Sequence, residues 1–501
     1  MTGHCKSIEE FRMAFFMKTV DNFQKGVYNE MKKRIGILAV FLSLVTFASC
    51  NLGGTASSSS VEDPDTSSFS SSSSSQTSEQ NPDADQDSDD LPGEEKPMEI
   101  YPNYDPETQS PYLVEDVVKP DLLWDTQTLF ATIPQIKDEG EVPLGENITS
   151  FKFASVPYLD KERTWVFAAI GMPNAEKYPK PANGYPAVVL VHGGSGQVYP
   201  QWIQYWTDKG YVALALDIFA NQLDTDGSKV MNAEGGPDES KAGSLYDDPN
   251  NTADSWVYHC VHNVIMCNNL LRNNAAVNPK QIAITGISWG GVVTNLVSGV
   301  DKRFAAFAPI YGAGYLYEDS FWTSKGTFGG DSKDAWIAAY DPSQYIAYNV
   351  KPTLYVSGVD DNCFATINRM RSAKLAKGKV FYSQRSDLEH GYTWAQTYEV
   401  YAFFEHILFG KDTMSFIGDT RIEGNRIYFE TENDKFDNVQ LVYTTSTDTD
   451  SHKWTFKTQL VSIKNGWCTM PAGITAYCFE FIHGDIDENY RLSTPIVQVN
   501  V

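Results

Sequence analysis

From about residue 101 the apolar positions of this chain fall into two alternating patterns. At 187–191 the run Ala-Val-Val-Leu-Val is apolar on both faces, and 211–216 and 281–285 behave similarly. Two-sided runs of this kind suit strands in the middle of a parallel sheet. Between them, at 202–209, 255–273 and 291–299, apolar residues recur at helical spacing. The alternation continues with strands predicted at 305–311, 353–357 and 380–383 and an aromatic helix at 393–409. It predicts an α/β fold, a doubly wound and mostly parallel sheet with helices on both faces. Ahead of it, 148–173 reads as a strand pair. The Gly- and Asp-rich stretch 222–254 reads as loops over the site. Residues 98–412 are assigned to this domain. After Gly410 the pattern changes to short alternating strands, such as 426–430 and 440–444, separated by turn residues. Residues 413–501 are therefore read as a small β-sandwich.

Composition changes the picture mainly at the N-terminus. The chain has 501 residues, 42% of them apolar, enough for two or three domains with a large core. Its net charge is −25, unevenly spread: positions 51–95 hold eleven acidic residues and no basic one. With its serine runs, 51–97 reads as a solvated flexible tether. No basic stripe appears, which argues against a nucleic-acid partner. Lys32-Lys33-Arg34 precedes a fifteen-residue apolar run, 35–49, ending Phe47-Ala48-Ser49-Cys50. A basic start and a short apolar core make a secretory signal, too short for an ordinary membrane span. Small residues followed by Cys resemble a bacterial lipobox, which implies lipidation at Cys50. Segment 31–50 is thus expected to be a lipoprotein signal. Residues 1–30 look like an upstream extension before a natural start at Met31. The expected location is outside the cytoplasm, membrane-attached only through the lipid. Cys260 and Cys267, two helical turns apart, read as buried thiols, as does Cys363. Cys468 and Cys478 flank a predicted hairpin, a spacing compatible with a disulfide. No Cys-x-x-Cys zinc pattern exists, and no His and carboxylate cluster has metal-site spacing.

The candidate chemistry centres on Gly286-Ile287-Ser288-Trp289-Gly290, placed between a predicted strand and a predicted helix. Strand, tight turn and helix around G-x-S-x-G form a nucleophile elbow. A serine hydroxyl needs a base within hydrogen-bond reach, usually His, itself oriented by a carboxylate. Downstream, one strand ends at Gly358-Val359-Asp360-Asp361, and the next leads into Leu388-Glu389-His390-Gly391. Asp361 is favoured over Asp360 on register. His390 is favoured over His406, which lies inside an amphipathic helix, and over His259 and His262, which read as core. An oxyanion needs backbone donors. The N–H of Trp289 supplies one, and the loop His192-Gly193-Gly194-Ser195-Gly196 the other, most simply Gly194. The phosphate-loop pattern is missing, and no cofactor is expected.

On these residues the chain resembles the acetyl xylan esterase-like branch of bacterial α/β-hydrolases, beside the dienelactone hydrolase and prolyl oligopeptidase families. The resemblance extends from about residue 151 to the end. It includes Gly299-Val300-Asp301-Lys302-Arg303-Phe304 and Pro309-Ile310-Tyr311-Gly312 as well as the motifs above. It implies an acid three residues after the strand-end glycine, which is Asp361, a base in a Leu-x-His-Gly motif, which is His390, and a C-terminal β-sandwich. Two positions depart from the pattern: Ser195 stands where glycine is usual, and Tyr392 where a second histidine is common. The implied activity is a serine esterase acting on acylated carbohydrate, with acetyl the expected acyl group. Trp and Tyr in 222–256 are candidate sugar-stacking residues, with core packing the plainer reading. Two rivals stand beside it: a prolyl oligopeptidase-like peptidase, and a surface binding protein on an inactive hydrolase scaffold. Against the peptidase, only about ninety folded residues precede His192, too few for a β-propeller.

Overall fold

A computed structural model describes residues 119–240, 254–324, 333–415, 417–431, 436–484 and 490–499. All of these lie in one compact unit, Glu94–Val501. The signal, Cys50 and the Ser-rich tether lie outside the described residues.

Helix α1 (Thr126–Ala131) and the strands β1 (Ile136–Lys137), β2 (Ile148–Ser155) and β3 (Thr164–Gly171) come first. Then β4 (Tyr185–Val191), α2 (Pro200–Thr207) and β5 (Val212–Leu216) lead to a short hairpin, β6 (Asn221–Leu223) and β7 (Lys229–Met231). Helix α3 (Trp256–Arg272), β8 (Val277–Ile287), α4 (Trp289–Val300) and β9 (Ala306–Ile310) follow. Three short helices, α5 (Phe321–Ser324), α6 (Lys333–Tyr340) and α7 (Ser343–Ile346), precede β10 (Thr353–Gly358). Helix α8 (Thr366–Leu375), β11 (Val380–Arg385) and α9 (Tyr398–Phe409) complete this part.

The principal sheet has nine strands in the order β1-β2-β3-β5-β4-β8-β9-β10-β11. From β5 to β11 every pairing is parallel, and β1, β2 and β3 join antiparallel at one edge. Every residue of β4, β5 and β9 is buried, as suits central strands of a parallel sheet. The α/β-hydrolase fold is this mostly parallel sheet with its helices. Helix α4 is buried along its whole length.

Two boundaries differ from expectation. Strand β8 starts at Val277 rather than near 281, because a register irregularity between Tyr185 and Ala187 lets Pro279 and Lys280 bulge out to solvent. Helix α9 starts at Tyr398 rather than near 393. Side chains hold 393–397 as a turn instead: Thr393 Oγ1 lies 3.1 Å from the Tyr311 hydroxyl, and Trp394 stacks on Trp202 at 5.6 Å.

After Gly410, whose φ of 63° stops α9, the chain forms two small sheets. One comprises β12 (Arg421–Glu423), β13 (Arg426–Tyr428) and β16 (Trp467–Thr469). The other comprises β14 (Asn438–Thr444), β15 (Lys457–Val461), β17 (Ala476–His483), β18 (Tyr490–Ser493) and β19 (Val497–Gln498). Phe429 packs on Phe479 at 4.6 Å and on Phe481 at 5.6 Å, joining the two faces. These rings belong to the same continuous core as the principal sheet. Cys468 and Cys478 are both buried thiols, as are Cys260 and Cys267, so the disulfide that the hairpin spacing allowed is not formed. Trp256 is buried, stacked on Phe219 at 5.4 Å, with its indole N–H on the Ile218 carbonyl at 2.6 Å. It is a core residue rather than a sugar platform. His259 and His262 are buried, and burial lowers the His262 pKa to about 4, keeping it neutral at ordinary pH. Among the described residues no helix is long and apolar enough to cross a membrane.

Candidate active site

Strand β8 ends at Ile287 and α4 begins at Trp289, leaving one residue to reverse the chain. That residue is Ser288, with φ 58° and ψ −115°. A non-glycine residue held there costs about 1–3 kcal/mol and persists only where its surroundings enforce it. Here the Ser288 N–H donates to the Ile310 carbonyl at 2.9 Å, and its own carbonyl accepts from Val292 N–H at 3.0 Å. The neighbouring glycines are a steric requirement. A Cβ at Gly290 would lie 2.0 Å from the Val191 carbonyl oxygen, and one at Gly286 would lie 2.2 Å from the Gly290 oxygen. The sequence motif thus becomes a turn that lifts the serine hydroxyl off the sheet.

The acid and base loops leave the ends of neighbouring parallel strands, Gly358 of β10 lying opposite Arg385 of β11. His390 Nε2 is 3.0 Å from Ser288 Oγ, and its Nδ1 is 2.9 Å from Asp361 Oδ2. With the Nδ1 proton donated to the carboxylate, Nε2 is left to accept the serine proton. Asp361 is only 2% exposed. Its other oxygen, Oδ1, accepts the amide N–H groups of Cys363 and Phe364, each at 2.8 Å. Burial is the largest influence on this carboxyl and pushes its pKa up. The charge and hydrogen bond of His390, the nearby Arg369 guanidinium and the Phe364 N–H outweigh it, so the net shift is downward.

Asp360 faces elsewhere: its Oδ1 accepts the Phe456 N–H at 2.9 Å. His406 lies with Nδ1 2.9 Å from the Lys411 carbonyl, in the last turn of α9. Tyr311 braces the base loop, its hydroxyl donating to the Glu389 carbonyl at 2.6 Å and its ring 4.5 Å from the imidazole. Buried Arg369 ties the start of the acid loop by donating to the Gly358 carbonyl at 2.8 Å. Neither Tyr311 nor Arg369 was singled out as a support from sequence. Tyr311 lay within a resembling segment, but nothing in the local pattern of α8 marks Arg369.

The loop 192–196 lies over the elbow. A Cβ at Gly193 would be 2.9 Å from Ser288 Cβ, and one at Gly194 would be 3.2 Å from the Trp289 ring. Trp289 opens α4, where helix geometry leaves its N–H without an intrahelical acceptor. Gly193 borders Ser288, and Gly194, the candidate second oxyanion donor, borders the ring of Trp289, the first. In the Gly- and Asp-rich stretch, the described segment 222–240 reaches this loop: Lys229 and Glu239 both bond to it. Among the described residues the fold also gathers two groups that motif spacing does not reveal. Asp361, Cys363 and His390 each present a ligating atom within 4.8 Å of the others, and so do Asp319, Asp450 and His452. The first is the acid–base pair with a neighbouring thiol.

Fold and site together define an α/β-hydrolase with a Ser, His and Asp constellation at the C-terminal edge of its sheet. A model described as the dienelactone hydrolase family matches residues 175–379. The Bacillus subtilis (strain 168) protein named "Uncharacterized peptidase YuxL" is 26% identical over 198 residues, 36% of this chain. The chain spans only about a quarter of that relative, 26% of its length. Solved structures also resemble the chain. An acetyl xylan esterase from Paenibacillus sp. R4 is 18% identical, covering 60% of this chain and 99% of its own, with a TM-score of 0.44. An acylaminoacyl peptidase from Pyrococcus horikoshii is 18% identical, covering 54% of this chain and 43% of its own, with a TM-score of 0.41. The family match covers less than half of the chain and supports a hydrolase.

Asp361→Asn should lower kcat by roughly 10³–10⁴, because an amide cannot hold the imidazole in the same tautomer. Asp360→Asn should change kcat only a few-fold. The pH dependence of stability gives a second reading. Because the folded carboxyl titrates below the ordinary value of about 3.9, its contribution is fully present above that pH and is lost as pH falls through the lower folded value. Unfolding of Asp361→Asn should therefore respond less to acid below about pH 4 than that of the wild type. Equal kcat losses in the two variants would contradict the assignment.

Proposed function

We propose that the protein is a serine esterase that hydrolyses carboxylic esters of carbohydrates, acetyl esters first among them, through an acyl-enzyme. The observation that carries this reading is the continuous hydrogen-bonded line from the Ser288 hydroxyl through His390 to buried Asp361, 3.0 Å and 2.9 Å long in its two links. Ser288 Oγ attacks the ester carbonyl while its proton passes to His390 Nε2. The imidazolium is stabilised by Asp361, whose lowered pKa keeps it ionised. The developing oxyanion accepts hydrogen bonds from the Trp289 and Gly194 amides. On collapse, the C–O bond to the alcohol breaks and the alcohol takes the proton from His390. Water then loses a proton to His390 as it attacks the acyl-enzyme, and Ser288 is regenerated as the free acid leaves.

Substrate preference separates this reading from a peptidase acting through the same Ser288, His390 and Asp361 line. The wild type should release p-nitrophenol from p-nitrophenyl acetate with a burst, and acetate from acetylated xylo-oligosaccharide. Ser288→Ala should lose fluorophosphonate labelling. Faster cleavage of a proline-peptide anilide than of any ester would favour the peptidase reading. Absence of labelling in folded wild type would favour a binding protein.

The same reading places the enzyme outside the cytoplasm, held by a lipid on Cys50 and the acidic tether. Metabolic palmitate should label the wild type and not Cys50→Ala. Label retained in that variant would rule out the proposed anchor.

A further inference from the structure

The two departures noted in the sequence, Ser195 and Tyr392, meet at one loop. The Tyr392 hydroxyl donates to the Gly194 carbonyl at 2.7 Å. The approach is close enough that a Cβ on Gly196 would lie 2.3 Å from the phenol oxygen. The Tyr392 ring is itself wedged, 4.9 Å from Tyr199 and 6.1 Å from Trp394. On the other side of the same peptide group, the Ser195 N–H donates to Glu239 Oε1, and the Ser195 hydroxyl donates to the same oxygen at 3.0 Å. Lys229 Nζ then donates to the Ser195 carbonyl at 2.9 Å and the Gly196 carbonyl at 3.3 Å.

A peptide group is planar and rotates as a unit. The 194–195 peptide is held at its carbonyl by Tyr392 and at its N–H by Glu239, so it cannot turn. Fixing that plane anchors the Cα of Gly194 and so limits how far its own amide, one residue upstream, can swing away from Ser288. Ser195 has φ 55°, a conformation glycine adopts more easily. The hydroxyl bond to Glu239 accounts for serine there, since it adds a contact that glycine lacks. Tyr392 stands two residues beyond His390, so one loop carries both the base and the strap on the oxyanion donor.

We infer that Tyr392 is a positioning residue for the Gly194 oxyanion donor, with Glu239 and Lys229 completing the strap. This rests on the esterase reading. Loss of a whole oxyanion donor costs about 10²–10³ in kcat, and a donor left in place but loosened should cost less. Tyr392→Phe should lower kcat on p-nitrophenyl acetate by roughly ten- to a hundredfold, with KM within about twofold. The midpoint of the acid limb of its pH profile should stay where the wild type has it, because the Ser288–His390–Asp361 line is untouched. Glu239→Gln, on the outer side of the loop, should lower kcat by roughly threefold to tenfold. An unchanged kcat in folded Tyr392→Phe, a loss seen only in KM, or a displaced pH midpoint would each overturn the inference. Should the wild type turn over no ester, the esterase reading fails by itself. The strap is then read from the rate of fluorophosphonate labelling at Ser288, which Tyr392→Phe should slow and which an irrelevant tyrosine would leave alone.

Discussion

The architecture turns on one backbone constraint, the reversal of the chain at Ser288 between a buried strand and a buried helix. Its left-handed φ of 58° is unfavourable for serine and is enforced from three sides. The Ile310 carbonyl takes its N–H, the Val292 N–H donates to its carbonyl, and Gly290 lets α4 approach β4, while Gly286 lets it approach β8, more closely than any side chain tolerates. The apolar strands β4, β8 and β9 matter to function through this point. They form the rigid wall against which the turn is pressed.

A serine fixed in this way meets His390 and Asp361 only because the loops that carry them are held at matching positions. The C-terminal sheets fasten those loops. The Phe456 N–H holds Asp360 and keeps the adjacent Asp361 turned toward the imidazole. Ser386, four residues before the base, donates to buried Glu480 at 2.7 Å, and the Gln384 N–H donates to Ser493 Oγ at 2.9 Å. Glu480 is in turn paired with Arg491 at 2.9 Å. Such a buried pair contributes little net stability, but it leaves few alternative positions for the groups around it. On the outer side, Asp319 accepts the Ser451 hydroxyl at 2.8 Å and pairs with His452 at 2.7 Å. The C-terminal sheets thus share the core of the principal domain and buttress the site.

Much of this was legible in the sequence because it is local. Apolar runs gave β4, β5, β8 and β9, helical periodicity gave α3 and α4, and the Gly-x-Ser-x-Gly spacing gave the elbow. The order of Ser288, Asp361 and His390 along the chain anticipated which side chains the sheet brings together. Contacts between distant segments were not legible. Nothing near Asp360 indicates that an amide 96 positions away will claim it. Nothing around 393 indicates that Trp394 will stack on Trp202 and delay the start of α9. The spacing of Cys468 and Cys478 permitted a disulfide, but the two residues lie in different sheets. Ser195 and Tyr392 were visible only as departures. Their partner in common, the 194–195 peptide, appears once the fold has placed the two loops together.

The central claim is that Ser288 Oγ, driven by His390, acts on a carbonyl whose oxygen faces two backbone amides. A crystal structure of the enzyme phosphonylated by a fluorophosphonate tests it most directly, because the adduct imitates the tetrahedral intermediate. The account predicts a covalent bond to Ser288 Oγ, with one phosphonyl oxygen roughly 2.7–3.1 Å from the amide nitrogens of both Trp289 and Gly194. An adduct on another residue, or a phosphonyl oxygen turned away from those amides with His390 out of reach, would contradict it.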